Sequence, residues 1–153
     1  MSVPAFAALL ERLVFTPGRN AKVVLLKRWF AEQPDPDRGI GLAALTEALV
    51  FAAAKPALVR DLVAARVDPV LLALSHDYVG DFAETVALIW PQRAGVNAAP
   101  PTLAEVVEAL GRTPKAELPA LIVGWLDTLD ANGRVALIKL VTGGLRVGVS
   151  GRL

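Results

Sequence analysis

Apolar residues recur every three or four positions through most of this chain, in short stretches that each open on a proline, a glycine or a small polar residue. That spacing is one face of an α-helix, and the punctuation is that of helix starts and stops. Ser2 and Pro4 suit an N-cap and first turn, with Phe6, Leu9, Leu10, Leu13 and Val14 as the inward stripe. A loop over Thr16–Lys22 then feeds a second helix, whose apolar side is Val24, Leu25, Leu26, Trp29 and Phe30. Pro34 to Gly41 is a break, and Pro36 is placed to open a third helix reaching Ala54. Pro56 starts a fourth helix to about Val67, and Asp68-Pro69 a fifth with Leu71, Leu72, Leu74 and Tyr78 inward. Asp81 caps a sixth that ends near Trp90.

Ala94 to Pro101 is the one linker of any length, and the helical plan resumes after it. Thr102 caps a helix through Leu110, and Thr113-Pro114 leads into a longer one carrying Leu118, Leu121, Ile122, Trp125 and Leu129. Asp130 to Gly133 turns into a last helix from about Ala131 to Val141, which Gly143-Gly144 ends by allowing positive φ. Only the few residues after Gly144 alternate as a strand would. The expectation is an all-α, multi-helix domain in two halves, about 1–93 and 101–153. The stretches from Phe6 to Trp29 and from Leu103 to Trp125 echo each other in apolar pattern, as related subdomains would.

Charge is uneven along this frame. Residues 1–30 hold five bases and one acid, residues 31–133 seven and fourteen, and residues 134–153 four and none. The nearly neutral whole therefore has two basic ends around an acidic middle, and if the ends meet they make one cationic face, which favours a nucleic-acid partner. The closing cations are Arg134, Lys139, Arg146 and Arg152. Around Arg146, Leu145, Val147 and Val149 alternate with Gly148 and Ser150, so guanidinium and bare backbone amides can point outward together, a phosphate-binding arrangement. The plainer alternative is a helix end followed by a turn with a solvated arginine. At the other end, Arg19 and Lys22 sit where unpaired amides of a helix start already favour an anion.

Other chemistry is poorly supplied. The chain has no cysteine, hence no disulfide or thiolate, which is compatible with the cytoplasm. Its single histidine, His76, is expected to be structural. Asp77, Asp81 and Glu84 fall at helical spacing and could approach a divalent cation, although no other ligand type accompanies them. Nothing forms a nucleophile triad or an acid-base pair. No apolar run reaches the length of a membrane span, and the first residues lack the basic region of a signal peptide.

Three stretches occur in order at suggestive spacings: TPGRNAK (16–22), VGDFAET (79–85) and TGGLRVGVSGRL (142–153). Together they resemble the amino-terminal DNA-binding domain of ATP-dependent DNA ligases, and most closely the bacterial members of that family that act in DNA repair. The resemblance covers essentially the whole chain, and the last stretch is the most specific. It implies an all-helical domain of two pseudo-symmetric halves, lying across the minor groove of nicked double-stranded DNA and holding phosphates on both sides of the break. Thr16, Arg19 and Lys22 match the family's first phosphate loop, Gly80 and Asp81 a helix start near the backbone, and Gly144, Arg146, Gly148 and Ser150 the carboxy-terminal contact turn, with Arg152 just beyond. Because a ligase seals any sequence, the implied contacts are with phosphates, Arg19 and Arg146 foremost.

One departure bounds this. A ligase carries AMP on the lysine of a K-x-D-G motif, and none of Lys22, Lys27, Lys55, Lys115 or Lys139 is followed by x-Asp-Gly; nor is there a P-loop. The chain resembles the front portion of a ligase without its nucleotidyltransferase and OB domains. By itself it is expected to hold no cofactor, ATP and Mg2+ belonging to the intact enzyme, whose catalytic domains would be its partners besides DNA. The rival reading is a helical protein-interaction module that binds through an exposed apolar patch, with its basic residues scattered.

Overall fold

The computed structural model describes residues 1–46, 49, 51, 54–92, 98–143 and 145. Among these the backbone forms nine α-helices and no strand: α1 (Val3–Phe15), α2 (Arg19–Glu32), α3 (Asp37–Leu45), α4 (Pro56–Arg66), α5 (Pro69–Val79), α6 (Phe82–Ile89), α7 (Leu103–Arg112), α8 (Leu118–Thr128) and α9 (Ala131–Thr142). A single 3-10 turn, Lys115–Glu117, precedes α8.

Short polar side chains set many of the starts. Ser2 Oγ accepts from the Ala5 amide at 3.2 Å, Asp68 from Val70 and Leu71, Asp81 from Glu84 at 2.8 Å, and Asp130 from Gly133 at 2.8 Å. Thr102 and Glu105 form a reciprocal capping box on α7. Each such cap contributes roughly 1 kcal/mol by satisfying an amide that the helix cannot. The starts of α1 and α7, the two segments that echo each other in sequence, lie side by side: the Val3 amide donates to Pro101 O at 2.9 Å and the Leu103 amide to Met1 O at 2.8 Å.

The core is one continuous cluster that draws on both sides of the linker. Its centre is α9, which packs against α1, α4, α6 and α8 and buries Ala136, Leu137, Ile138, Leu140 and Val141. A helix covered on so many sides cannot be amphipathic in the usual one-faced way, which is why its apolar residues run almost without interruption.

Three sequence expectations are corrected. The third helix does not reach Ala54; it stops at Leu45, where the Thr46 hydroxyl donates back to Leu42 O at 2.8 Å and closes the last turn. Val14 is not inward but 57% exposed, because α1 turns its Phe6–Leu13 stripe to the core one position short of it. The largest departure is α5, which has no buried residue: Leu71, Leu74 and Tyr78 are exposed, and only Leu72, Ser75 and Val79 are partly covered, with α6 as the neighbouring helix.

Candidate nucleic-acid interface

The first motif sits between α1 and α2. Thr16 closes α1, its hydroxyl donating to Arg12 O at 2.5 Å, so that proton is held within the chain and not offered outward. Gly18 then takes φ 83°, a conformation open to glycine at little cost, and serves as the N-cap of α2 without supplying a side-chain acceptor. No acid stands in the first turn; Arg19, exposed, and Lys22, half-buried, stand there instead. Cations at a helix amino end oppose the macrodipole, which destabilises by about 0.3–1 kcal/mol in the absence of an anion and reverses when one binds. Lys27 and Arg28 extend the exposed basic surface along the same helix.

The second motif spans the α5–α6 corner. Gly80 has φ 84° and is exposed, and Asp81 follows as the cap of α6. The Asp81 carboxylate is engaged twice, accepting the Glu84 amide through Oδ1 and lying 3.6 Å from Lys139 Nζ through Oδ2. Any approach of a phosphate here therefore falls to the backbone around Gly80, with Asp81 holding the corner and Lys139 in place. Asp77, by contrast, is on α5 beyond the turn, and among the described residues no three acidic or histidine side chains gather as a metal cage would require. His76 is exposed and stands edge-on to Phe82, ring centroids 6.2 Å apart.

The third motif enters the described residues only as Thr142, Gly143 and Leu145. Gly143 has φ 75° and ends α9, as a helix C-cap glycine should. Gly144, Arg146, Gly148, Ser150 and Arg152 lie outside the described residues.

A cleft of about 400 Å³ between α1, α6 and α9 is lined by Glu84 of the second motif, by Leu145 of the third and by Phe15, which precedes the first; none of residues 16–22 lines it. Helices α1 and α9, near the two ends of the chain, pack against each other. The space between them is not uniformly cationic, however, because Glu11 and Glu84 share its lining with Lys139. The expectation of one continuous cationic face is corrected accordingly: among the described residues exposed cations stand on α2 at Arg19, Lys27 and Arg28 but also elsewhere, at Arg12, Arg38, Lys55, Arg60, Arg112 and Lys115.

Arg134 is corrected as well. It is 4% exposed, donating from Nε to Leu126 O at 2.9 Å, from Nη1 to Ala87 O at 3.4 Å and from Nη2 to Gln92 Oε1 at 3.2 Å. Burial lowers its pKa from the ordinary arginine value, while Asp127 and Asp130 act in the opposite direction. Asp127 is itself buried, accepting the Trp90 indole N–H at 2.9 Å and Arg66 Nη2 at 3.2 Å, and the Arg66 guanidinium carbon lies 5.8 Å from the Trp90 ring centroid. This polar knot joins α4, α6, α8 and α9. Sequence reasoning missed it, although Asp130 stands four residues before Arg134 and hints that this cation has internal company.

No protein-family model, curated protein or solved structure matches the chain. Among the described residues no helix is long and apolar enough to cross a membrane.

Proposed function

We propose that the chain binds nicked double-stranded DNA without regard to sequence, as the amino-terminal DNA-binding domain of an ATP-dependent DNA ligase of the bacterial repair type. The observation that carries this reading is that Glu84 of the second motif and Leu145 of the third, distant in sequence, line one cleft with Phe15, which directly precedes the first. The uncapped start of α2, with Arg19 and Lys22 where an acid would ordinarily stand, supports it as a phosphate seat. Glu11 and Glu84 discourage phosphate from entering the cleft, so the backbone of the duplex is held outside it, by the α2 start and by Arg146, which the resemblance implies as a contact. The domain's work is positional: it holds two DNA ends in line for catalytic domains that carry the AMP-lysine and use ATP and Mg2+.

Arg19→Glu tests this. A fluorescent nicked duplex should bind the variant at least tenfold more weakly, while Lys115→Glu, far along the chain in the 3-10 turn, should bind as the parent does. Equal binding by parent and Arg19→Glu, with both folded, would remove the α2 start from the interface.

The rival reading, a protein-interaction module, has one observation in its favour: the exposed apolar side chains of α5 and α6. Leu88 lines both the groove between these two helices and the cleft between α1, α6 and α9, so the two surfaces adjoin along α6.

A further inference from the structure

Val70, Leu71, Leu74 and Tyr78 on α5 are 68, 50, 64 and 93% exposed, and Leu88 on α6 is 69% exposed. At 100° per residue the four α5 positions fall within an arc of about 100° on the helix, next to the face that Leu72, Ser75 and Val79 turn toward α6. Leu74, Tyr78, Val79, Leu88 and Ile89 line a cavity of about 310 Å³ between the two helices. Isolated apolar residues on a surface need no explanation, but a contiguous set of this kind marks a binding surface.

The charges around the strip say what covers it. From Asp68 to Gln92 there are four acids and not one lysine or arginine. Asp77 flanks the strip on α5, and Glu84 stands one turn before Leu88 on α6; both are exposed. Lys139, which shares the other cleft with Glu84, is held by Asp81. An apolar groove with a carboxylate rim repels DNA. It also disfavours a two-fold contact with a second copy, which would set the same acidic rim against itself.

We infer that this groove docks an amphipathic helix of a partner protein, one with large apolar side chains at i, i+3, i+4 and i+7 and with lysine or arginine along both flanks. The inference rests on the protein-interaction reading and adds the partner's chemistry to it. A third helix laid along α5 and α6 completes a three-helix packing. α5, eleven residues long, offers roughly 16 Å at 1.5 Å per residue, enough for about three turns of the partner.

The test uses the whole chain and two fluorescein-labelled synthetic helical peptides with the same leucine stripe, one flanked by lysine and the other by glutamate, read by anisotropy. The lysine peptide should bind at least tenfold more tightly than the glutamate peptide. The double variant Leu74→Ser/Tyr78→Ser should lose at least tenfold of that affinity with an unchanged melting temperature, since neither side chain is buried. Equal binding of the two peptides would overturn the basic flank while leaving a protein-docking groove. Binding of neither peptide, or undiminished binding by the double variant, would overturn the groove itself. Concentration-dependent self-association in sedimentation that the double variant abolishes would overturn the partner in favour of a second copy.

Discussion

Helices α5 and α9 are of nearly equal length and both are rich in leucine and valine, yet one has no buried residue and the other is the centre of the core. Composition does not separate them; position in the packing does. α9 lies among α1, α4, α6 and α8, so each of its turns meets apolar surface, and even its arginine is drawn in and satisfied by carbonyls. α5 packs along α6 and leaves its outward face uncovered. An apolar stripe in a sequence does not say what covers it, and among the described residues nothing covers the one on α5.

Substitutions of the same kind in the two helices should therefore differ sharply. The largest effect is expected at Arg134→Ala, which strips hydrogen bonds from Leu126 O and Ala87 O and removes a buried cation near Asp127, leaving that carboxylate to Arg66 and Trp90. It should cost about 3–5 kcal/mol in urea unfolding and lower the melting temperature by roughly 10 °C. Leu137→Ala, at a fully buried position, follows at about 2–5 kcal/mol by leaving a cavity. Asp81→Ala sits between the regions, since its side chain caps α6 and reaches Lys139 on α9; loss of the cap should cost about 1 kcal/mol. Leu74→Ala on α5 should change stability by no more than about 0.5 kcal/mol, because its side chain is already in water. A loss of 2 kcal/mol or more at Leu74 would abolish the distinction between the helices.

The same contrast explains what could be read from the sequence. Helix starts were legible at Ser2, Pro56, Asp68, Asp81 and Thr102 because a cap or a first-turn proline acts locally, within three or four residues. The extent of α9 was legible for the same reason, with Gly143 supplying its end. What the sequence did not reveal is tertiary. Periodicity places Leu71, Leu74 and Tyr78 on one side of α5 but does not say whether a neighbour reaches that side, and Arg134 looks like any other cation until Asp127, Trp90 and Gln92 are brought around it. The α3 end at Leu45 was missed because the apolar pattern runs on past Thr46, and only a side-chain bond back to Leu42 O marks the stop. For the candidate site, residue types singled out the α2 start and the α5–α6 corner, but that Glu11 and Glu84 line one cleft became visible only in the fold.

Salt dependence of duplex binding addresses the DNA reading most directly. If Arg19, Lys22, Arg146 and Arg152 neutralise about four phosphates, affinity for a nicked duplex should fall by roughly a hundredfold between 50 and 200 mM salt, independently of sequence. Binding that is absent at low salt, or that holds constant across that range, would contradict it.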